Sequence, residues 1–178
     1  LHASGLGPSD RPNQYAFLVF LGYLSLVTWI NVRHAVAVLV HKRDPAALAT
    51  PLNVALGWTC VAASVVLIVF ALWLRPPSMV VLLALSPIGF GIGGAILRYL
   101  RRPPELVRAW MYEHLGAMIG AGIAFHTAFA VFGVTRLFDY QPTGITGVLP
   151  WILPAAIGIP ATVILTRHYR RRYEPAAR

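Results

Sequence analysis

The chain has 178 residues, of which 12% are charged and 57% hydrophobic, with a mean hydropathy of +0.66. A soluble domain of this length carries about a quarter of its residues as charges, so a water-soluble globule is excluded and there is no length for a separate soluble domain. The net charge of +9 does not point to nucleic acid, because the basic residues sit at the ends of apolar runs, where topology and lipid headgroups put them.

Residues 45–74, 76–97, 115–135 and 140–166 contain no Asp, Glu, Lys or Arg. Each run exceeds the roughly 20 residues that an α-helix needs to cross about 30 Å of hydrocarbon. Barrel strands would alternate polar and apolar residues, and these runs do not. The expected fold class is therefore an all-α integral membrane protein, a five-transmembrane-helix bundle. Residues 1–14 form an external segment, 15–172 one membrane domain and 173–178 a tail. The chain begins at Leu1 without a methionine, which leaves open a missing leader, although His2 to Asn13 is too polar and too rich in Gly and Pro for a signal core.

In chain order, helix 1 is expected over about 15–41, after Gly5, Pro8 and Pro12 have kept the approach irregular. Helix 2 covers about 53–74 and stops at Arg75-Pro76-Pro77. Helix 3, about 79–100, contains Ser86-Pro87 and a glycine-rich stretch; lying in an apolar helix, that stretch is no dinucleotide fingerprint. Helix 4 is expected over about 105–138, and helix 5 over about 148–169, with Pro150 starting it and Pro160 kinking it. Gly89 and Gly93 on helix 3, with Gly116 and Gly120 on helix 4, have the small-xxx-small spacing that lets helix backbones approach. Packing of these two helices on each other is the expectation, with a homo-oligomer face as the alternative. The lone Cys60 permits no internal disulfide.

Orientation follows from Lys and Arg in the connections. One set of ends holds Arg11, Arg75 and Arg136, three in all; the other holds Lys42, Arg43, Arg98, Arg101, Arg102, Arg108, Arg167, Arg170, Arg171, Arg172 and Arg178, eleven in all. The N-terminus is thus expected outside and the C-terminus in the cytoplasm.

Charged groups at membrane depth are costly, so those present face the bundle and have partners. Helix 1 offers Asn31, Arg33, His34 and His41, and helix 4 offers Glu113, His114 and His126. At a rise of about 1.5 Å per residue, antiparallel helices 1 and 4 set Arg33, His34, Glu113 and His114 at one level of the inner half. At about 100° per residue, Tyr23, His34 and His41 form one stripe on helix 1, whereas His114 and His126 diverge. Several readings fit. His34 and His114 could be axial ligands of a b-type haem, which needs two imidazoles from facing helices; His41 and His126 are further cofactor-binding candidates, and quinone is the other redox ligand. An Arg33–Glu113 ion pair with histidine neighbours is a purely structural reading. A zinc site from His34, His114 and Glu113 has suitable atoms, but adjacent Glu113 and His114 point apart. A proton relay through Arg33, Glu113, Asn31, Tyr23 and the histidines is the remaining alternative.

Glu113-His114-Leu115-Gly116-Ala117-Met118, with Ile123-Ala124-Phe125-His126-Thr127-Ala128-Phe129, resembles the fourth-helix pattern of a bacterial family of multi-pass membrane proteins of unknown function. Leu153-Pro154-Ala155-Ala156-Ile157-Gly158-Ile159-Pro160 and the basic exit Arg167 to Arg172 are similar to that family's last helix. His41-Lys42-Arg43-Asp44 departs from the family's Lys-Gly then His-Arg step. The resemblance implies the topology, a bacterial cytoplasmic (inner) membrane, and interest in His114 and His126; it implies no activity. The expectation from all of this is a non-enzymatic membrane subunit, in contact with lipids and with copies of itself or other subunits, binding haem or quinone. A small transporter or proton-conducting protein, or a structural subunit, is the alternative.

Overall fold

A computed structural model describes residues 12–102, 105–133, 137 and 145–174. The described residues are helical, without strands. The helices are α1 (Pro12–Val40), α2 (Pro51–Leu74), α3 (Met79–Leu85), α4 (Pro87–Arg101), α5 (Ala109–Ala128) and α6 (Ile145–Tyr173). With α3 and α4 counted as one span, five helices among the described residues are long and apolar enough to cross a membrane. The chain divides into two compact units, one of Leu1–Ile30 with Ala46–Arg102 and one of Asn31–Pro45 with Pro103–Arg178. Helix α1 therefore contributes its first part to one unit and its last turns to the other.

In the first unit, burial follows a heptad-like seam. Ala16, Phe20, Tyr23, Val27 and Ile30 are buried on α1, and Gly57, Cys60, Ser64, Leu67 and Ala71 on α2. Spacings of three and four residues keep one stripe on a partner helix. The α2 stripe is mostly small, and that lets α4 approach its backbone. A Cβ on Gly93 would lie 2.6 Å from the Gly57 carbonyl oxygen, and one on Gly89 would meet Ser64 Oγ and lie 2.7 Å from the Cys60 carbonyl oxygen. This corrects the expected partner of the Gly89/Gly93 stripe: it packs on α2. Of the two glycines expected to oppose it, Gly116 has nothing within 4 Å of an added Cβ, and Gly120 meets only Asn31.

Local signals set the ends of these helices. Thr50 Oγ1 accepts the Asn53 N–H at 3.2 Å, and Pro51, which has no N–H to lose, occupies the first turn of α2. The helix closes on Arg75 in the left-handed region, φ 47°, before the Pro76-Pro77 pair that cannot continue it. Between α3 and α4, Pro87 cannot donate to the Leu83 carbonyl, and the Ser86 hydroxyl does so instead at 2.9 Å. Tyr23 fills the remaining gap. Its hydroxyl accepts the Gly89 N–H at 2.9 Å, donates to the Ser86 carbonyl at 2.9 Å, and lies 3.3 Å from Ser64 Oγ. The Leu83 carbonyl freed by the proline and the Gly89 N–H at the start of α4 thus have partners, as apolar surroundings require.

In the second unit, α5 and α6 pack together, and Gly158 of α6 lies so close to Ile123 of α5 that a Cβ would overlap its side chain. The boundaries differ from expectation. Helix α5 begins at Ala109, not near Glu105, and passes into one wide π turn at Phe129–Gly133. Residues 134–136 and 138–140 lie outside the described residues, and so does most of the expected end of helix 4. Helix α6 starts at Ile145, five residues before Pro150, so Pro150, Pro154 and Pro160 all lie within it. No side chain of its own N-terminal turn caps α5. Glu174, from beyond the end of α6, serves instead: its carboxylate accepts the Val107 and Arg108 N–H groups at 3.0 and 3.1 Å and the Tyr112 hydroxyl at 2.9 Å. Desolvation opposes ionisation of Glu174, but these three hydrogen bonds and nearby Arg170 hold its carboxyl below the usual glutamate range.

Candidate functional site

The buried stripe of α1 turns polar where it enters the second unit. After Val27 and Ile30 come Asn31 and His34, 6% and 5% exposed, and then apolar Ala35 and Val38. Opposite them stands the first half of α5. Asn31 Nδ2 donates to the Ala117 carbonyl at 2.9 Å, His34 Nε2 lies 3.2 Å from Glu113 Oε1, and His114 Nδ1 donates to the Ala35 carbonyl at 2.9 Å. As α1 advances from 31 to 35, its partners on α5 retreat from 117 to 114, so these segments run antiparallel. The expected common level of His34, Glu113 and His114 is what this register places together.

Chemically, the three contacts differ. Asn31 to Ala117 joins a neutral donor to a carbonyl and cannot titrate. His114 faces a carbonyl that only accepts, so Nδ1 carries its proton and neutral His114 presents a lone pair on Nε2. His34 and Glu113 face each other with two groups that both bind protons. The proton between them can rest on Nε2 or on Oε1, and a second proton makes the pair cationic overall. The side chains of the pair are 6% and 20% exposed. Arg33 is half-buried beside it on α1.

The other sequence candidates lie apart from this pair. Tyr23 shares the α1 stripe but is engaged in the first unit, at the Ser86-Pro87 break. His41 Nδ1 donates to the Ala37 carbonyl of its own helix at 3.0 Å, and exposed His126 does likewise to Gly122 at 2.7 Å. His168 is exposed against the Tyr169 ring. Among the described residues no three of His, Cys, Asp and Glu come together to hold a metal ion. Glu113 reaches His34 while its neighbour His114 reaches the α1 backbone, the divergence expected of adjacent helical residues. A bis-histidine haem does not fit this arrangement. A macrocycle between His34 and His114 would have to part the hydrogen bonds that hold α1 directly against α5 at that level.

No family model, curated protein or solved structure matches the chain. None of these comparisons bears on the resemblance of helices 4 and 5 to the bacterial family. Sequence reasoning missed the Glu174 cap and the Tyr23 insertion into the broken helix. The Ser-Pro step was a usable signal for the latter, since a proline in a buried helix frees a carbonyl that needs a donor.

Proposed function

We propose that this chain is a multi-pass membrane protein whose His34–Glu113 pair takes up and releases a proton at membrane depth, as the working part of a small transporter or proton-conducting protein. The carrying observation is the 3.2 Å contact between two titratable side chains on facing helices, the histidine buried. Ionisable residues within apolar spans face the bundle interior, pair with one another, and are the groups of which ion and proton paths are built. The eleven-to-three division of Lys and Arg supports an external N-terminus and cytoplasmic C-terminus. The resemblance of helices 4 and 5 supports a bacterial inner membrane.

In proteoliposomes under an imposed pH gradient, Glu113→Gln should lower proton flux by roughly 100-fold, the scale on which a positioned acid–base group acts, while keeping a hydrogen bond to His34. Undiminished flux in this variant would reject the relay. A second reading, a quinone-binding redox subunit, is favoured by His114, whose Nδ1 faces the Ala35 carbonyl and whose Nε2 is the ring atom that would accept from a quinol hydroxyl. Stoichiometric quinone in the purified protein, lost in His114→Ala, would establish it; quinone-free protein with intact flux would dismiss it.

A further inference from the structure

The relay pair lies above a basic end of the second unit, and this end has a chemistry of its own. Three segments reach it: the exit of α1 with Lys42, the approach to α5 with Arg108, and the exit of α6 with Arg170 and Arg172. Aromatic faces order these cations. Lys42 Nζ lies 5.5 Å from the Trp110 ring centre, the Arg108 guanidinium 4.0 Å from Tyr173, Arg170 5.2 Å from Tyr112, and Arg172 5.5 Å from Tyr173. Tyr173 in turn stacks on Tyr169, centroids 6.0 Å apart and planes 8° from parallel.

A guanidinium stacked on a ring uses its face and keeps its N–H donors in the plane, free for an anion. Among the described residues no carboxylate lies within 4.0 Å of the guanidinium of Arg108, Arg170 or Arg172. Glu174, which interacts with Arg170, spends its oxygens on the Val107 and Arg108 N–H groups and the Tyr112 hydroxyl. One carboxylate thus stands among four cations, and the excess positive charge is partly pre-ordered, which lowers the ordering cost of binding. It also stands where the apolar stretches of α1, α5 and α6 end, with Trp and Tyr beside it. That is the depth of phospholipid headgroups.

We infer that this cation–aromatic layer binds the phosphodiester of anionic phospholipid headgroups in the leaflet it faces. The guanidinium edges receive the phosphate oxygens, in the bidentate manner open to Arg, while the acyl chains lie along the exposed apolar sides of α6. The inference rests on the membrane reading above. A soluble phosphate would meet the same donors without the acyl contacts, so the lipid is favoured over the free anion.

Full-length protein, delipidated in mild detergent and then offered equal phosphatidylglycerol and phosphatidylcholine, tests this by native mass spectrometry of the retained lipid. The wild type should retain phosphatidylglycerol preferentially. Arg108→Gln with Arg170→Gln should reduce that preference roughly 30-fold, about a factor of five per surface cation. Tyr173→Leu, which keeps every charge, should weaken it by a smaller factor because the guanidiniums lose their platform. Arg75→Gln, at the other set of helix ends, should leave it unchanged. Equal retention of both lipids by the wild type, no effect of the double substitution, or full displacement of lipid by excess inorganic phosphate would each overturn the proposal. Failure of the wild type to remain in carbonate-washed membranes would instead remove the membrane reading on which it rests.

Discussion

The two units meet the same problem, polar groups within apolar helices, in opposite ways. In the first, a proline break is closed by neutral groups: the Tyr23 and Ser86 hydroxyls donate to carbonyls and the Gly89 N–H donates to the Tyr23 hydroxyl, and none of them changes charge near neutral pH. In the second, a histidine and a carboxylate face each other. The backbones differ as well. Helix α2 buries a full stripe and meets α4 at glycine contact, whereas no residue in the apolar stretch of α6 is buried and only 6% of that in α5 is. One unit reads as packing, the other as a site with faces left for lipid or partners. A polar residue in a membrane helix is thus not by itself a sign of chemistry; what decides is whether its partner can also bind a proton.

Substitutions can break this contrast, and the largest effect is expected in the packed unit. Gly93→Val would press a side chain onto the Gly57 carbonyl, 2.6 Å from the Cβ position, and since overpacking typically costs about 1–3 kcal/mol and backbone cannot yield cheaply, the upper end is expected. Thermal unfolding in detergent checks this, with Gly91→Val as control because nothing lies within 4 Å of a Cβ there. Next comes Tyr23→Phe. It removes the acceptor of the Gly89 N–H and one donor to the Ser86 carbonyl, a loss of about 1–3 kcal/mol for a buried group left unpaired. A melting temperature equal to wild type would show that the break is satisfied in some other way. Asn31→Ala in the second unit removes one neutral bond to Ala117, for which about 1 kcal/mol is expected, and proton flux should survive. Loss of flux in that variant would extend the site beyond its titratable pair.

The smallest effect concerns Glu174. Its folded-state carboxyl titrates below the usual glutamate value, so it stabilises the start of α5 above the unfolded-state pKa, and that contribution is lost as pH falls through the depressed folded value. Melting curves across the acid range should show a slight decline in the wild type that is missing in Glu174→Gln. Parallel curves would mean that the carboxylate does not cap α5 in solution.

How much of this the sequence carries depends on whether the cause is local. Four uncharged runs and the stretch after Pro12 give the five helices, because crossing length and charge cost act on every segment by itself. Ser86-Pro87 marks the α3–α4 break for the same reason. The level of His34, Glu113 and His114 follows from helical rise once helices 1 and 4 are taken as antiparallel. What depends on neighbours is less legible. The Gly89/Gly93 spacing says that something approaches, but the small residues of α2 decide what does. The start of α5 depends on Glu174, which is 65 positions after Ala109 in the chain. Pro150 resembles a helix start, yet α6 has already begun at Ile145. Tyr23 and His34 share a stripe by angle, as expected, and are separated by what each one faces.

The central claim is that the proton of the His34–Glu113 pair moves. Infrared difference spectra of the reconstituted protein, taken between two pH values, report it directly. The account predicts a carboxyl band and an imidazole band that change together, with Glu113→Gln removing the first and altering the second, and His34→Gln doing the converse. A carboxyl band untouched by Glu113→Gln, or no pH-dependent band from either residue, would contradict it.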